Sequence, residues 1–309
     1  MEQVISFLDN CRLGKKQISG RLTVFPLLGV REDKPFYLTL EEAFAAQTLE
    51  VTEKGHEGHV PEVMVINTGD VPVLIVDGEE LEGAKQNRTV NATFLIAARV
   101  TVMVPVSCVE QGRWRYKSRA FQYSGRMVHA SLRREKQRHV SANLSHGDGY
   151  KSNQGAVWSR IAETSSELSV DSETMAMADV FEAYKSDLET TAKAFTLVDG
   201  QVGAVIAIDG VIVGLEAFES GQTFSRFFGK TVQSYAVDAM GLERQGLKST
   251  SSPSPTDARR FIASIGKGKG ENHPSISRGT TVTFSSRAVS GAALVEGDHL
   301  LHLSAFKKA

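Results

Sequence analysis

The chain reads as an α+β protein, with a strand-rich N-terminal half built on a buried mixed or antiparallel sheet, then central helices, then C-terminal hairpins. Three observations predict this. Apolar, β-branched runs crowd residues 20–106; a helical period takes over from 153 to 195; and strand patterns return toward the end. Strands and helices are grouped rather than strictly alternating, which argues against a parallel doubly wound sheet.

Residues 20–27 form the first expected strand, and Thr39-Leu40-Glu41-Glu42 opens a short helix with a threonine cap and first-turn carboxylates. Residues 61–67 and 71–76 flank Thr68-Gly69-Asp70, which reads as a tight hairpin, and strands at 90–98 and 100–106 follow. Both faces of these strands carry aliphatic side chains, so the sheet is expected to be covered on both sides. Two helices are expected between 153 and 195, from the spacing of Val157, Ile161 and Leu168 and of Met177, Phe181, Tyr184, Leu188 and Phe195. Asp209-Gly210 between two apolar runs, 202–208 and 211–218, is the clearest hairpin signal, because Asp-Gly readily adopts the positive φ angles of a type I′ turn. Phe224, Phe228, Tyr235 and Ala239 continue as a helix. Residues 248–256 read as a polar linker, a short helix starts at Asp257, Gly266–Gly270 reads as a flexible segment, and strands near 280–285, 291–296 and 299–306 close the chain. The natural division is a β-rich half over 1–150 and an α+β half over 151–309, which together can also make one continuous domain.

Composition excludes several classes. With 309 residues, 41% hydrophobic and 23% charged, and a net charge of -1, the chain is an ordinary globular protein rather than a disordered one. The balance argues against a nucleic-acid coat, which rests on a basic surface. No apolar run approaches the roughly 18 residues of a spanning helix and the N-terminus lacks a signal-peptide pattern, so no membrane partner and a cytoplasmic location are expected. Two cysteines, Cys11 and Cys108, do not make a disulfide framework or a cysteine zinc site.

Two dense polar blocks stand directly behind apolar runs, where a rigid scaffold holds polar groups for a ligand. The first is Asp77-Gly78-Glu79-Glu80-Leu81-Glu82-Gly83-Ala84-Lys85-Gln86-Asn87-Arg88; the second is Ser107-Cys108-Val109-Glu110-Gln111-Gly112-Arg113-Trp114. In the first, Lys85 and Arg88 offer cations for phosphate, and Gln86 and Asn87 offer amides that both donate and accept. Only a turn makes these four side chains converge, since an extended strand points them to alternate sides. In the second, Gln111 and Arg113 are binding groups and Trp114 is either a stacking face for a base or a packing aromatic. Glu80 and Glu110 are candidate general bases. Cys108 is a candidate nucleophile, and a buried inert thiol is the competing reading, because a reactive thiol needs a nearby cation, histidine or helix N-terminus. No metal site is expected, and no cofactor is indicated.

Residues 113–139 carry nine cations against the single acid Glu135, interleaved with Trp114, Tyr116, Phe121 and Tyr123. Residues 163–190 carry eight acids against Lys185 alone. Pairing of these stretches, within the chain or between subunits of a homo-oligomer, accounts for both without nucleic acid. His56-Glu57-Gly58-His59 spaces its histidines at i,i+3 and so misses the helical zinc geometry, and Gly266–Gly270 lacks the spacing of a P-loop. Glu216 and His302, within apolar strands, read as satisfied core residues.

Residues 76–88 and 104–114 resemble a bacterial and archaeal family, the ADP-ribosylglycohydrolase and rhodanese-phosphatase-associated protein domain. Gln154-Gly155-Ala156-Val157-Trp158, Gly214–Phe218 and Leu301–Phe306 are also similar to it, so the resemblance runs from about 20 to 306. It implies NAD or ADP-ribose metabolism through genomic company, without an established activity. The expected function is an enzyme, or enzyme partner, for an ADP-ribose-like or other phosphorylated nucleotide metabolite, acting as a hydrolase on a glycosidic or phosphoester bond. A noncatalytic metabolite sensor and an interaction scaffold are the alternatives.

Overall fold

The computed structural model describes residues 1–29, 34–55, 61–244, 246 and 252–308. The His56–His59 segment and part of the 248–256 linker lie outside the described residues. The chain divides into two compact units: residues 1–35, 186–274 and 279–309 form unit 1, and residues 36–185 with 275–278 form unit 2. Unit 1 opens with α1 (Glu2–Asp9), β1 (Arg12–Leu13), β2 (Gln17–Ser19) and β3 (Leu22–Leu28). Unit 2 supplies β4 (Leu38–Thr39), α2 (Leu40–Ala45), β5 (Leu49–Glu53), β6 (Glu62–Asn67), β7 (Val73–Ile75), β8 (Glu79–Gly83), β9 (Arg88–Val90), β10 (Phe94–Ile96), β11 (Val100–Cys108), β12 (Phe121–Met127), α3 (Ala130–His146), α4 (Gln154–Glu167) and α5 (Met177–Ala183). After α6 (Lys185–Lys193), unit 1 resumes with β13 (Gln201–Ile208), β14 (Val211–Ala217), α7 (Gly221–Arg244), α8 (Pro255–Gly266), β15 (Lys269–Pro274), β16 (Thr280–Ser285), β17 (Val289–Glu296) and β18 (His299–Lys307).

Unit 1 is a nine-stranded antiparallel sheet in the order β1-β3-β13-β14-β18-β17-β16-β15, with β2 also along β3. Period-2 alternation sends Phe25, Leu27, Val205, Ala207, Leu215 and Leu303 to one face, where they pack with Val4 and Leu8 of α1 and Ala258, Phe261 and Ile265 of α8. On the opposite face, Tyr235 of α7 donates to Glu216 of β14 at 3.3 Å and His302 of β18 meets the same carboxylate at 3.2 Å. These two polar strand residues are satisfied in the core, as their sequence context predicts. The Asp209-Gly210 turn has φ of 49° and 77°, both positive as a type I′ hairpin requires.

Unit 2 holds a six-stranded sheet, β12-β8-β9-β11-β6-β5, and a three-stranded sheet, β10-β7-β4, in which only β4 and β7 run parallel. A bridge between Thr52 and Ala120 ties the β5 and β12 edges together, so the six strands curl into a small closed barrel and leave few open edge groups. Its interior is filled by Val51, Val65, Leu81, Val90, Val104, Val106 and Phe121.

Several local expectations change. Residues 61–67 and 71–76 are not a hairpin: β6 pairs with β5 and β11, whereas β7 joins β4 and β10. The Asn67 side chain makes the diversion, donating to Val71 O and Ala97 O and accepting from Gly69 N, so the chain crosses to the other sheet. The run 90–98 is split for a related reason: Asn91 is tied to Tyr150 O and Ser107 Oγ, which ends β9 before β10 begins. Residues 153–195 contain three helices rather than two, the break falling at Tyr184, whose hydroxyl donates back to Leu168 O. Ser254, at the end of the expected linker, caps α8 with a capping box to Asp257. The expected flexible 266–270 segment ends inside β15, where Lys269 and Gly270 pair with Ser285 and Phe284.

Candidate functional site

The two polar blocks meet on one side of the barrel. β8 and β9 form a hairpin whose connection, residues 84–87, opens on Gly83 (φ 118°) and Ala84 (φ 44°), and Cys108 at the end of β11 lies opposite Arg88 in register. The turn does not gather all four of Lys85, Gln86, Asn87 and Arg88 on one surface. Gln86, Asn87 and Arg88 point inward and are buried, while Lys85 stays partly open.

Arg113 is the centre of the buried part. Its Nε donates to Glu110 Oε1 at 2.8 Å and its Nη2 to Glu110 Oε2 at 2.6 Å, a bidentate pair. The remaining guanidinium hydrogens reach Ala84 O at 2.8 Å, Arg115 O at 3.0 Å, Asn87 Oδ1 at 3.1 Å and Gly83 O at 3.3 Å. Glu110 also accepts from the Asn87 amide at 3.1 Å and the Thr174 hydroxyl at 3.0 Å. Burial works to raise the Glu110 carboxyl, yet Arg113 and the Asn87 amide outweigh it and hold the group below its ordinary range. The second block therefore clamps the β8–β9 turn through carbonyls, with Arg113 and Glu110 engaged by each other and by that turn.

Glu80 is enclosed likewise. It accepts from Arg126 Nε at 2.7 Å and Asn87 Nδ2 at 3.2 Å, and Arg126 bridges on to Glu82 at 2.8 Å. Burial pushes the Glu80 carboxyl up, against the pull of Arg126. Asp77 anchors helix α3, since Lys136 Nζ stands 2.7 Å from its Oδ1 and also donates to Val90 O, and Arg133 Nε is 3.5 Å from its Oδ2; Glu79 instead turns back on its own segment, accepting from Val76 N at 2.9 Å. Gly78, at φ 87°, lies against the Arg133 side chain, where a Cβ would come within 2.7 Å of Cδ. Among the described residues, Arg113, Lys117, Arg126, Arg133 and Lys136 of the basic stretch meet carboxylates of Glu110, Glu80, Glu82 and Asp77. Glu163, in the acidic stretch, pairs with Arg160 within its own helix.

Arg88 runs into the barrel and is 0% exposed. It donates to Gln86 Oε1 at 3.0 Å, to Cys108 Sγ at 2.6 Å and to Glu53 Oε1 at 3.3 Å. Strands β9 and β5 are not neighbours, so the Arg88–Glu53 pair spans the barrel interior. Burial pushes the Cys108 thiol up to about 11 despite the adjacent guanidinium, leaving it a neutral acceptor at neutral pH. Gln154, the first residue of α4, holds the Cys108 peptide from both sides, accepting from its N–H at 2.8 Å and donating to its carbonyl at 2.9 Å.

Over this network lies an open surface. Trp114 and Tyr116 are 48% and 49% exposed, and the Lys85 ammonium stands 5.1 Å from each ring centroid. The Arg88 guanidinium carbon is 5.9 Å from the Trp114 ring. Gln111 is exposed beside them, and its carbonyl accepts from Gln86 Nε2 at 3.3 Å. Glu53, Arg126, Gln154 and Tyr116 join the site without having been singled out for it by sequence. For Glu53 a signal exists, since it shares the Leu49 and Val51 face of β5. Among the described residues no group of three or more His, Cys, Asp or Glu side chains is placed to hold a metal, and no helix is long and apolar enough to cross a membrane.

Comparison with curated proteins found no match, and neither did comparison with solved structures. The family model of the ARG and Rhodanese-Phosphatase-superfamily-associated Protein domain matches residues 10–306, nearly the whole chain across both units, and the chain belongs to that family.

Proposed function

We propose that this chain binds a phosphorylated nucleotide metabolite on the surface formed by Lys85, Gln111, Trp114 and Tyr116. The observation that carries the reading is the Lys85 ammonium 5.1 Å from two half-exposed aromatic rings, on a turn fixed from beneath by Arg113, Glu110 and Asn87. Rings of this kind stack on a base, and a lysine with four rotatable bonds can turn from ring faces to a phosphate. Gln111 offers an amide for ribose hydroxyls or the base edge. Reading ARG in the family description as ADP-ribosylglycohydrolase makes ADP-ribose the first compound to test.

The buried groups take the supporting role. Arg113, neutralised by Glu110, holds the turn through its carbonyls, Arg88, paired with Glu53, braces Gln86 from below, and Asn87 ties the turn backbone to Glu110. Binding without turnover is favoured over hydrolysis, because Glu80 and Glu110 are enclosed by Arg126 and Arg113 and Cys108 is a buried neutral thiol. The test is calorimetric titration of the full chain with ADP-ribose, NAD and AMP, followed by a turnover assay on whichever binds. Trp114→Ala and Lys85→Ala are expected to weaken binding about tenfold or more each, with unchanged melting temperature. Equal affinity in wild type and both variants overturns the site, and turnover abolished by Glu80→Gln replaces the binding reading with an enzymatic one.

A further inference from the structure

Unit 1 contains a cavity of about 580 Å³, within the range of small-molecule pockets. It takes shape from the two-sided character of α1. Val4 and Leu8 enter the core, while Gln3, Ser6, Phe7 and Asn10, at i, i+3, i+4 and i+7, form the stripe that lines the cavity. The buried side chains of Val202 and Leu300 supply an apolar floor. Gly29 approaches Val202 so closely that a Cβ there would come within 2.7 Å of it, which fixes that wall.

Among the described residues, the formally charged side chains in this lining have one sign. Glu2, Glu219 and Asp298 contribute carboxylates, and no lysine or arginine is in its lining among the described residues. Glu219 is held in place: its amide donates to Leu300 O at 3.2 Å, and His299 Nδ1 stands 2.8 Å from its Oε2. An apolar floor beneath a rim of carboxylates suits a ligand with a hydrocarbon body and a positive head, and disfavours phosphates. We propose that this cavity is a second ligand site, for a small alkyl or aryl amine, independent of the Trp114 surface.

The test is calorimetric titration of the full chain at low ionic strength with 1,8-diaminooctane, octylamine and octanoate as probes. Both amines are expected to bind and octanoate not to. The Glu219→Gln/Asp298→Asn double variant should weaken amine binding by about tenfold or more, and high salt should weaken it too. Ser6→Trp, on the cavity-lining stripe of α1, should obstruct the cavity and weaken binding about tenfold or more without altering any carboxylate. Trp114→Ala should leave amine binding intact, so failure of the nucleotide surface and failure of this pocket are distinguishable. No heat from either amine up to about 10 mM, octanoate binding as tightly as octylamine, or amine affinity unchanged in Ser6→Trp overturns the proposal.

Discussion

Arg113 and Glu110 form a bidentate ion pair, 2.8 and 2.6 Å long, three residues apart at the end of β11. The pair is more than local, because the same guanidinium binds the carbonyls of Gly83 and Ala84 and so fixes the turn that carries Lys85. Removing one partner of such a buried pair leaves an uncompensated charge and costs about 3–5 kcal/mol. Arg113→Ala is therefore expected to lower unfolding free energy in urea by about that amount. Trp114→Ala, one residue along but half-exposed, should cost under about 1 kcal/mol. Similar losses for the two would show that Arg113 does not carry the turn.

Lys136 and Asp77 give a second prediction. The Lys136 ammonium is wholly buried, and desolvation holds its pKa down while Asp77 pulls the other way. Single changes, Asp77→Leu or Lys136→Met, each strand a charge, so each should destabilise by about 3–5 kcal/mol. The double variant strands less and should lose clearly less than the sum, a coupling that a double-mutant cycle in urea reads directly. Arg133, 3.5 Å from the same carboxylate, keeps the cycle from closing to zero.

The same contacts show what the sequence could and could not convey. Alternation and turn chemistry sufficed for the Asp209-Gly210 hairpin and for the Thr39 helix cap, which the structure completes as a capping box with Glu42, because both are decided within a few residues. That each polar block stands at the end of an apolar run was legible too, but not that the two runs bring the blocks together, which the pairing of Cys108 with Arg88 decides. Nor was their division of labour. Whether Arg113 faces a ligand or its own Glu110 depends on where the β8–β9 turn lies, which no local pattern encodes. Barrel closure hid Glu53 as a partner of Arg88, because strands β9 and β5 approach only across the interior. The 61–76 region failed for the opposite reason: its local hairpin signal is genuine, but the Asn67 side chain bonds to Ala97 and overrides it.

The acid limb of stability gives a third prediction. In Glu82, hydrogen bonding to Lys117 leads, with Arg126 adding to it, and the carboxyl is lowered; Glu110 is lowered by Arg113 and Asn87 against burial. A lowered native pKa means the unfolded chain binds more protons, so this stability is full above the ordinary carboxyl value of 4.5 and is lost as pH falls through the native values. Glu80 is raised by burial and has the opposite sign, its contribution being full below 4.5 and lost as pH rises through its native value. In urea unfolding at a series of pH values, Glu110→Gln should flatten the acid decline and Glu80→Gln should steepen it just above 4.5. Changes of the same sign in both variants would refute the assignment.

Thiol chemistry supplies the fourth prediction, and it decides whether Cys108 is a nucleophile. Burial pushes Cys108 up to about 11 and Cys11 up to about 12, so native protein at pH 8 holds almost no thiolate at either position. The guanidinium of Arg88 donates to Cys108 Sγ but is itself shared with Gln86 and Glu53, which limits how far it can stabilise a negative sulfur. Ellman's reagent should therefore label the native chain slowly or not at all, and both cysteines promptly in urea. Arg88→Met should leave native Cys108 equally inert, because desolvation rather than lack of a cation sets its pKa. Rapid native labelling of Cys108 that disappears in Arg88→Met would instead mark an activated thiol and restore the nucleophilic role.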